Sequence, residues 1–516
     1  MDKTLTFALT EPTNQSRHGS IRGNEGRRRL MDVPSAFPIY QDYGAYYIDL
    51  YIGSPAQRQT VILDTGSDNV GIPCTECSDC GKKHTDPFFD HRKSESFRAL
   101  TCSECSTGTC DEENDICKVK SEYLEGSRWS GKEALDKVHP GGPPQKFLVE
   151  SQDENQTIEV DNTLPIKFTC MDSVESEFRL QLANGIAGLG MQGPSLWRQM
   201  YEEKYIEEKK FSLCLSKNPI AGSMTGSMTL GGIDERLGHN STDLSYMSMI
   251  NTSGLYGVEI RNIYVHENGG ESVRDILHGK EDVNLIKLEV HPRRINKRGT
   301  ILDSGTTATF VSTDIMNELD KIWMKIKGSK FPKEQLVSTP EELQKWPTLI
   351  FQMKGVKSES NDESLLLNDI HVAKHNITNF RRDILVAMPP SSYFSYDTHE
   401  KRYIPLIRSD INKVQGNILG SNFMRDHNVL FDIENMRIGM VESDCNHNKI
   451  LVDEGKQEAM VVVDHYLDHK EIIRMHMNKI CDENPFRCQY IRWSQGILVI
   501  LFILLALCTR KRSGKM

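Results

Sequence analysis

Two short segments of this 516-residue chain repeat one another. Ile62-Leu63-Asp64-Thr65-Gly66-Ser67 is echoed by Ile301-Leu302-Asp303-Ser304-Gly305-Thr306. Each is an apolar run that ends in Asp, a small hydroxyl residue, Gly and a second hydroxyl residue. One copy alone would fit a strand followed by an ordinary Asx turn. A second repeated element changes that reading. Gly185-Ile186-Ala187-Gly188 ends 124 positions after Asp64, and Asn417-Ile418-Leu419-Gly420 ends 117 after Asp303. An Asp turn and an apolar-apolar-Gly segment recurring at near-equal spacing mark a duplicated half-unit, and internal repetition decides architecture. The chain therefore reads as two lobes that each lend one carboxylate to a shared centre.

The residue types specify the chemistry. Two Asp side chains a few ångströms apart cannot both ionise at moderate pH, so they share a proton and titrate as a pair. The ionised member takes a proton from a bound water while the protonated member donates to a carbonyl. Gly66 and Gly305 are expected to let backbone amides approach the carboxylates and to adopt a turn closed to other residues. Ser67 and Thr306 are expected to hydrogen-bond the outer carboxylate oxygens and hold the pair coplanar. No metal or organic cofactor is called for.

With these motifs in place, the chain resembles the pepsin-like aspartic proteases over roughly residues 39 to 448. The resemblance implies an all-β, bilobal fold with pseudo-twofold lobes and a substrate cleft between them, in which the apolar-apolar-Gly segments cross under the Asp loops. Further family landmarks follow in order. Tyr46 to Pro55 looks like the strand and turn before the first Asp. Phe211 to Leu215 and Met228 to Asp234 look like the end of the first lobe, and Asn428 to Asp432 with Arg437 to Met440 like the closing strands of the second. The implied activity is that of an aspartic endopeptidase acting on polypeptide substrates as a monomer. The alternative from another class is a catalytically inactive binding or receptor protein on the same fold; such relatives tend to lose an Asp or a turn hydroxyl, and here every one is present.

The family covers its cleft with a hairpin carrying a Tyr. Tyr123-Leu124-Glu125-Gly126-Ser127 fits it, with Tyr123 as the flap tyrosine and Gly126 in the turn. One departure matters. Many members have a Trp seven residues after the first Asp, bonded to the flap Tyr; this chain has Gly71 there, so its flap must be positioned differently. Trp129 is near in sequence, which by itself assigns it no role.

Cysteine is the second strong signal. Seven of the 13 fall between Cys74 and Cys117: Cys74, Cys77, Cys80, Cys102, Cys105, Cys110 and Cys117. The spacings admit zinc ligands. A disulfide framework is preferred, because five Asn-x-Ser/Thr acceptors (Asn14, Asn155, Asn240, Asn251, Asn376) and an apolar carboxyl-terminal run point to the secretory route, where disulfides persist. Cys170 completes an even set of eight in the amino lobe, whose connectivity sequence does not give. Cys214 with Cys445, and Cys481 with Cys488, are plausible pairs, and Cys508 is left unpaired. A cysteine-rich insertion directly after the first Asp turn resembles the nepenthesin and plasmepsin V branch of the family. Tyr123-x-Glu125-Gly126-Ser127 also matches plasmepsin V, which makes Glu125 a candidate for selecting a basic substrate side chain upstream of the cut.

The remaining segments set topology. Trp493 to Thr509 is an apolar run of roughly 25 Å as a helix, the short end of what a bilayer needs, and Arg510-Lys511-Arg512 follows it as a cytoplasmic tail would. The expected product is a single-pass type I membrane protein with its catalytic unit lumenal or extracellular, in the endoplasmic reticulum, Golgi or endomembranes. Residues 1–38 are polar and basic and read as a leader or propeptide remnant, with cleavage expected near Arg27-Arg28-Arg29. They contain no apolar core long enough for export, so either a signal upstream of the given start or an atypical export signal is expected, the first being preferred because the cysteines and glycosylation acceptors agree with the anchor. The amino lobe is assigned to 39–235 with its insertion at 74–117, the carboxyl lobe to 236–448, a stem to 449–490, the membrane helix to 493–509 and the tail to 510–516. Residues 131–162, 266–299 and 354–364 read as exposed loops. His447, His465, His469 and His476 are too irregularly spaced for a metal set. A net charge of −10 and the absence of any basic stripe leave no support for nucleic-acid binding.

Overall fold

The computed structural model describes residues 35–453, apart from 43, 124–125, 145, 151–156, 217–223, 238–243, 271, 278–283, 357–382, 398–399 and 410–415. The expected stem beyond 453, the membrane run 493–509, the tail, Cys481, Cys488, Cys508, Glu125 and all the named acceptor asparagines except Asn251 lie outside the described residues. Among the described residues no helix is long and apolar enough to cross a membrane.

The architecture is mostly β. The strand Gln57–Asp64 is buried from Gln59 onward. A strand covered on both faces reads as a continuous apolar run rather than an alternation, which is why Val61-Ile62-Leu63 stands out in the sequence. It delivers Asp64 to its end. The strand Gly185–Gly188 lies parallel beside it, with Gly188 opposite Asp64. The second half repeats this: Thr300–Leu302 pairs in parallel with Asn417–Leu419, Leu302 opposite Leu419, and Asp303 follows at once. Leu189 N donates to Asp64 O at 2.7 Å, and Asp303 N to Leu419 O at 3.0 Å, so each apolar-apolar-Gly segment is tied to its Asp turn.

The halves are joined by a 15-stranded sheet. Within it Lys210–Leu215 pairs on one side with Met224–Leu230 and on the other with His427–Asp432 from the second half. Phe211 stacks on Phe431 where the two meet, and Tyr256 packs edge-on against Phe431. The second Asp turn rises from a separate six-stranded sheet. Beside that sheet, the helix Thr313–Lys327 buries Ile315, Met316, Leu319, Ile322 and Trp323 at helical spacing and ends at Gly328, whose φ of 72° is the left-handed cap that glycine takes without strain.

Three expectations are corrected. The first strand, Ser35–Asp42, pairs with Met224–Leu230 from Ser35 onward, so residues 35–38 belong to the sheet and not to the leader. Residues 131–162 are largely strand: Arg128–Pro140 is 13 residues long, and Lys146–Glu150 pairs with Thr157–Asp161. Arg128–Pro140 alternates buried and exposed positions as a half-covered strand should, but two buried positions are Glu133 and Asp136, and those carboxylates concealed the pattern. Residues 266–299 carry two short helices, Val273–Leu277 and Pro292–Ile295, and bury Val273, Ile276, Leu288, Val290 and Ile295.

All ten described cysteines are in disulfides: Cys74–Cys170, Cys77–Cys80, Cys102–Cys110, Cys105–Cys117 and Cys214–Cys445. Oxidised sulfurs are not thiolate ligands, which removes the zinc reading of the insertion. Cys74 and Cys170 close onto neighbouring parallel strands, a proximity invisible at a sequence separation of 96.

Candidate active site

Asp64 and Asp303 are both buried, at 3% and 8% exposure, so neither carboxylate is freely hydrated. Each is held by its own turn in the same way. Gly66 N donates to Asp64 Oδ1 and Gly305 N to Asp303 Oδ1, both at 2.9 Å. Ser67 Oγ donates to Asp64 Oδ2, and Thr306 Oγ1 to Asp303 Oδ2 at 2.6 Å. The turns also grip each other. Thr65 N donates to Ser304 Oγ at 3.0 Å and Ser304 N to Thr65 Oγ1 at 2.9 Å, while the hydroxyls of Ser304 and Thr65 donate across to Leu63 O and Leu302 O.

The glycines have a reason that spacing alone did not provide. Neither Gly66 nor Gly305 takes a left-handed φ. Each faces the opposite carboxylate instead: a Cβ on Gly66 would lie 2.8 Å from the Asp303 carboxylate, and one on Gly305 2.2 Å from Asp64 Oδ1. Close approach of the two aspartates across the lobe boundary is therefore what requires glycine at both positions.

Burial, with Asp303 beside it, pushes the Asp64 carboxyl well above the usual carboxylate range, against the opposing pull of Ser67 and the Gly66 amide. A carboxyl that keeps its proton next to a second carboxylate is the arrangement needed to donate to one reacting atom and accept from another.

Tyr123 sits where the hairpin of Ile116–Glu122 and Arg128–Pro140 turns; Gly126 N closes the turn onto Tyr123 O at 2.9 Å. Gly126 has a φ of 99° with nothing near its missing Cβ, so here the backbone conformation itself calls for glycine. The Tyr123 hydroxyl is pushed up by burial and by the Asp64 charge. Trp129 Nε1 donates to Tyr123 OH at 3.2 Å. Gly71 lies next to that indole: a Cβ there would sit 2.3 Å from the Met171 methyl and 3.4 Å from Trp129 Cζ2.

Sequence reasoning missed four contributors. Thr65 and Ser304 carry the lobe-to-lobe grip, and their repeated position one residue after each Asp was the available signal. Trp129 had no signal beyond proximity. Glu133, 4% exposed, accepts from Ser106 N, Thr107 N, Thr107 Oγ1 and Gly108 N, and so fastens the tip of the cysteine-rich insertion to the flap strand; Thr107 Oγ1 reaches Asn69 Oδ1 at 3.1 Å. His447 is buried with Nδ1 at 3.0 Å from Ser227 Oγ.

Comparison with known proteins agrees with this geometry. A family model described as eukaryotic aspartyl protease matches residues 152–443, and one described as xylanase inhibitor N-terminal matches residues 46–232. The chain is similar to plasmepsin V of Plasmodium falciparum, 23% identical over 463 residues that cover 80% of this chain and 73% of that protein. It is 25% identical over 372 residues to aspartic proteinase nepenthesin-1 of Nepenthes gracilis, covering 67% and 74%. With aspartic protease 5 of Toxoplasma gondii it shares 29% over 218 residues, 38% of this chain but only 20% of that longer protein.

Proposed function

This chain belongs to the eukaryotic aspartyl protease family and is an aspartic endopeptidase; from that premise we propose that Asp64 and Asp303 are its catalytic pair. The observation that carries the assignment is the mutual contact of the two turns, in which each glycine lies against the other lobe's carboxylate. Asp64 retains the shared proton, and Asp303 is the base. A water between them loses its proton to Asp303 as it attacks the peptide carbonyl carbon, while Asp64 donates to the carbonyl oxygen. The tetrahedral intermediate then collapses, the carboxylate that gained the water's proton delivering one to the leaving amine. Ser67 and Thr306 orient the outer oxygens, and Tyr123 covers the bound peptide.

The finer reading is a tethered processing protease of the secretory pathway. Ten cysteines in disulfides support an oxidising compartment. The apolar run Trp493 to Thr509, followed by three basic residues, supports a single-pass anchor. The likeness to plasmepsin V, together with Glu125 beside Gly126, supports a preference for Arg or Lys upstream of the cut.

Cleavage-site profiling with a peptide library tests both levels. Pepstatin-sensitive cleavage lost in Asp64→Ala and in Asp303→Ala is the expected result, and a wild type that cleaves nothing from acid to neutral pH overturns the catalytic assignment. Enrichment of Arg or Lys upstream, lost in Glu125→Ala, is expected for the finer reading; a flat upstream profile removes it.

A further inference from the structure

We infer that the carboxyl lobe carries an anion-binding exosite, built on Arg402 and Arg408, that takes an acidic side chain of the polypeptide substrate several residues from the cut. The inference rests on the endopeptidase reading above and adds a selectivity that the doubled turns and the Tyr123 hairpin do not supply.

Backbone pairing assembles the site from three segments. The strand Arg402–Pro405 pairs on one edge with Phe394–Asp397. On its other edge Leu336 N donates to Tyr403 O at 2.9 Å and Tyr403 N to Leu336 O at 2.8 Å, which lays Lys333 and Glu334 alongside the strand. Ile407–Arg408 then pairs in parallel with Thr309–Phe310, held by Thr309 N to Leu406 O at 2.8 Å and Val311 N to Arg408 O at 2.9 Å. Between these segments is an open cavity of about 460 Å³, whose lining includes Lys333, Glu334, Arg402, Ile404, Pro405 and Arg408.

The charge of this cavity runs against that of the chain. The protein carries a net charge of −10, yet the lining sets three cations against the one carboxylate of Glu334. Lys333 is drawn toward Asp320 Oδ2 at 3.2 Å. Arg402 and Arg408 are exposed and, among the described residues, are in no ion pair. A guanidinium presents a planar fork of donors that matches a carboxylate and stays charged at any physiological pH. Two such forks beside Ile404 and Pro405 fit an acidic side chain, its methylenes against the apolar wall. The site is also continuous with the second Asp turn. Phe310, opposite Arg408, lies four residues after Thr306, so at most roughly 15 Å of chain separates them. An extended peptide crosses that distance in roughly four to five residues. A side chain of a peptide already held in the cleft meets the arginines at high effective concentration, whereas a free anion must be recruited from solution.

Matched peptides test the exosite. One cleavable sequence is made with Glu or with Gln at each position roughly four to six residues from the cut, on either side. The full chain is expected to cleave at least one Glu peptide about fivefold better in kcat/KM than its Gln twin, the scale of two exposed charge pairs, through KM with kcat unchanged. The advantage should fade as salt rises, because exposed charges are screened. Arg402→Gln combined with Arg408→Gln should abolish it while the Gln peptides are cleaved as by wild type; Arg402→Glu combined with Arg408→Glu should turn it against Glu. A wild type that treats Glu and Gln alike at all these positions, or an advantage that survives loss of both arginines, overturns the proposal. A second readout needs no cleavage. A fluorescent hexaglutamate peptide is expected to bind the wild type more tightly than the Arg402→Gln, Arg408→Gln variant. Inorganic phosphate that displaces it at equal concentration would make this a site for free anions and overturn the substrate reading. If the labelled peptide binds through the arginines while the wild type cleaves nothing, the endopeptidase reading fails and the anion site stands.

Discussion

The two Asp turns and the parallel strand pairs that carry them are close copies, and what surrounds them is not. Inner oxygens accept glycine amides at the same 2.9 Å in both, outer oxygens accept a hydroxyl, and Thr65 and Ser304 exchange matching bonds. Around the first turn lie the flap hairpin, the cysteine-rich insertion and four disulfides. The second rises from a six-stranded sheet, with no disulfide confined to its lobe among the described residues. Symmetry is thus kept by the two turns and the strands that carry them. Closing over a peptide is a one-sided task, and in the proposed mechanism it falls to the Tyr123 hairpin of the amino lobe.

The strongest way to break that comparison is to unbalance the pair. Asp64→Asn and Asp303→Asn should each lower kcat by on the order of 10³-fold or more, the scale of lost general acid–base catalysis. A variant retaining substantial activity would show that one carboxylate suffices. Stability should move oppositely. The folded-state pKa of Asp64 is raised, so its contribution to stability is fully present below the unfolded carboxylate value and is lost as pH rises through the folded one. Asp64→Asn should therefore melt above wild type at neutral pH, and the gain should shrink on acidification; thermal melts across pH read both.

Disulfides sharpen the contrast between lobes. Cys214–Cys445 closes 231 residues, whereas Cys102–Cys110 closes eight. By loop-closure entropy, replacing the first pair with serines should cost about 5 kcal/mol and the second about 2.5 kcal/mol. Denaturant unfolding measures both, and equal losses would mean that the long bridge constrains an already compact unfolded chain.

The glycines test the mutual contact directly. The missing Cβ of Gly305 would sit closer to Asp64 than that of Gly66 to Asp303, 2.2 Å against 2.8 Å. Gly305→Ala should therefore be the more damaging change, with kcat/KM down roughly 100-fold, as expected when reacting groups are displaced by about an ångström. Gly66→Ala should lose less, and the reverse order would contradict the approach of the two turns described here.

What was legible in the sequence follows from distance along the chain. The Asp turns were readable because strand, Asp, glycine and hydroxyl are contiguous and occur twice. Thr65 and Ser304 were not recognised as partners because the bond joins residues 239 apart. The strand Arg128–Pro140 was misread because Glu133 and Asp136 occupy inward positions, and a buried carboxylate looks exposed until its donors are known. Gly71 marked a change in the flap, but only packing shows the Trp129 ring and the Met171 methyl beside it.

The smallest expected difference lies between the turn hydroxyls. Ser67→Ala removes a donor from Asp64 Oδ2, and Thr306→Val removes one from Asp303 Oδ2. Each should lower kcat about tenfold, the scale of one oriented hydrogen bond. The pH profile should separate them in kind. Ser67 holds the Asp64 carboxyl down against burial and Asp303, so its removal raises that carboxyl further. Asp64 is the member that keeps the shared proton, and activity falls when that proton leaves; the alkaline limb of the kcat profile should therefore move to higher pH in Ser67→Ala. The titratable groups facing Asp64 are Asp303 and Tyr123. Repeating the measurement in Tyr123→Phe should leave the direction of the shift unchanged, since the bond lost is the one from Ser67. A limb that moves downward would place the shared proton on Asp303 and reverse the roles of the two lobes.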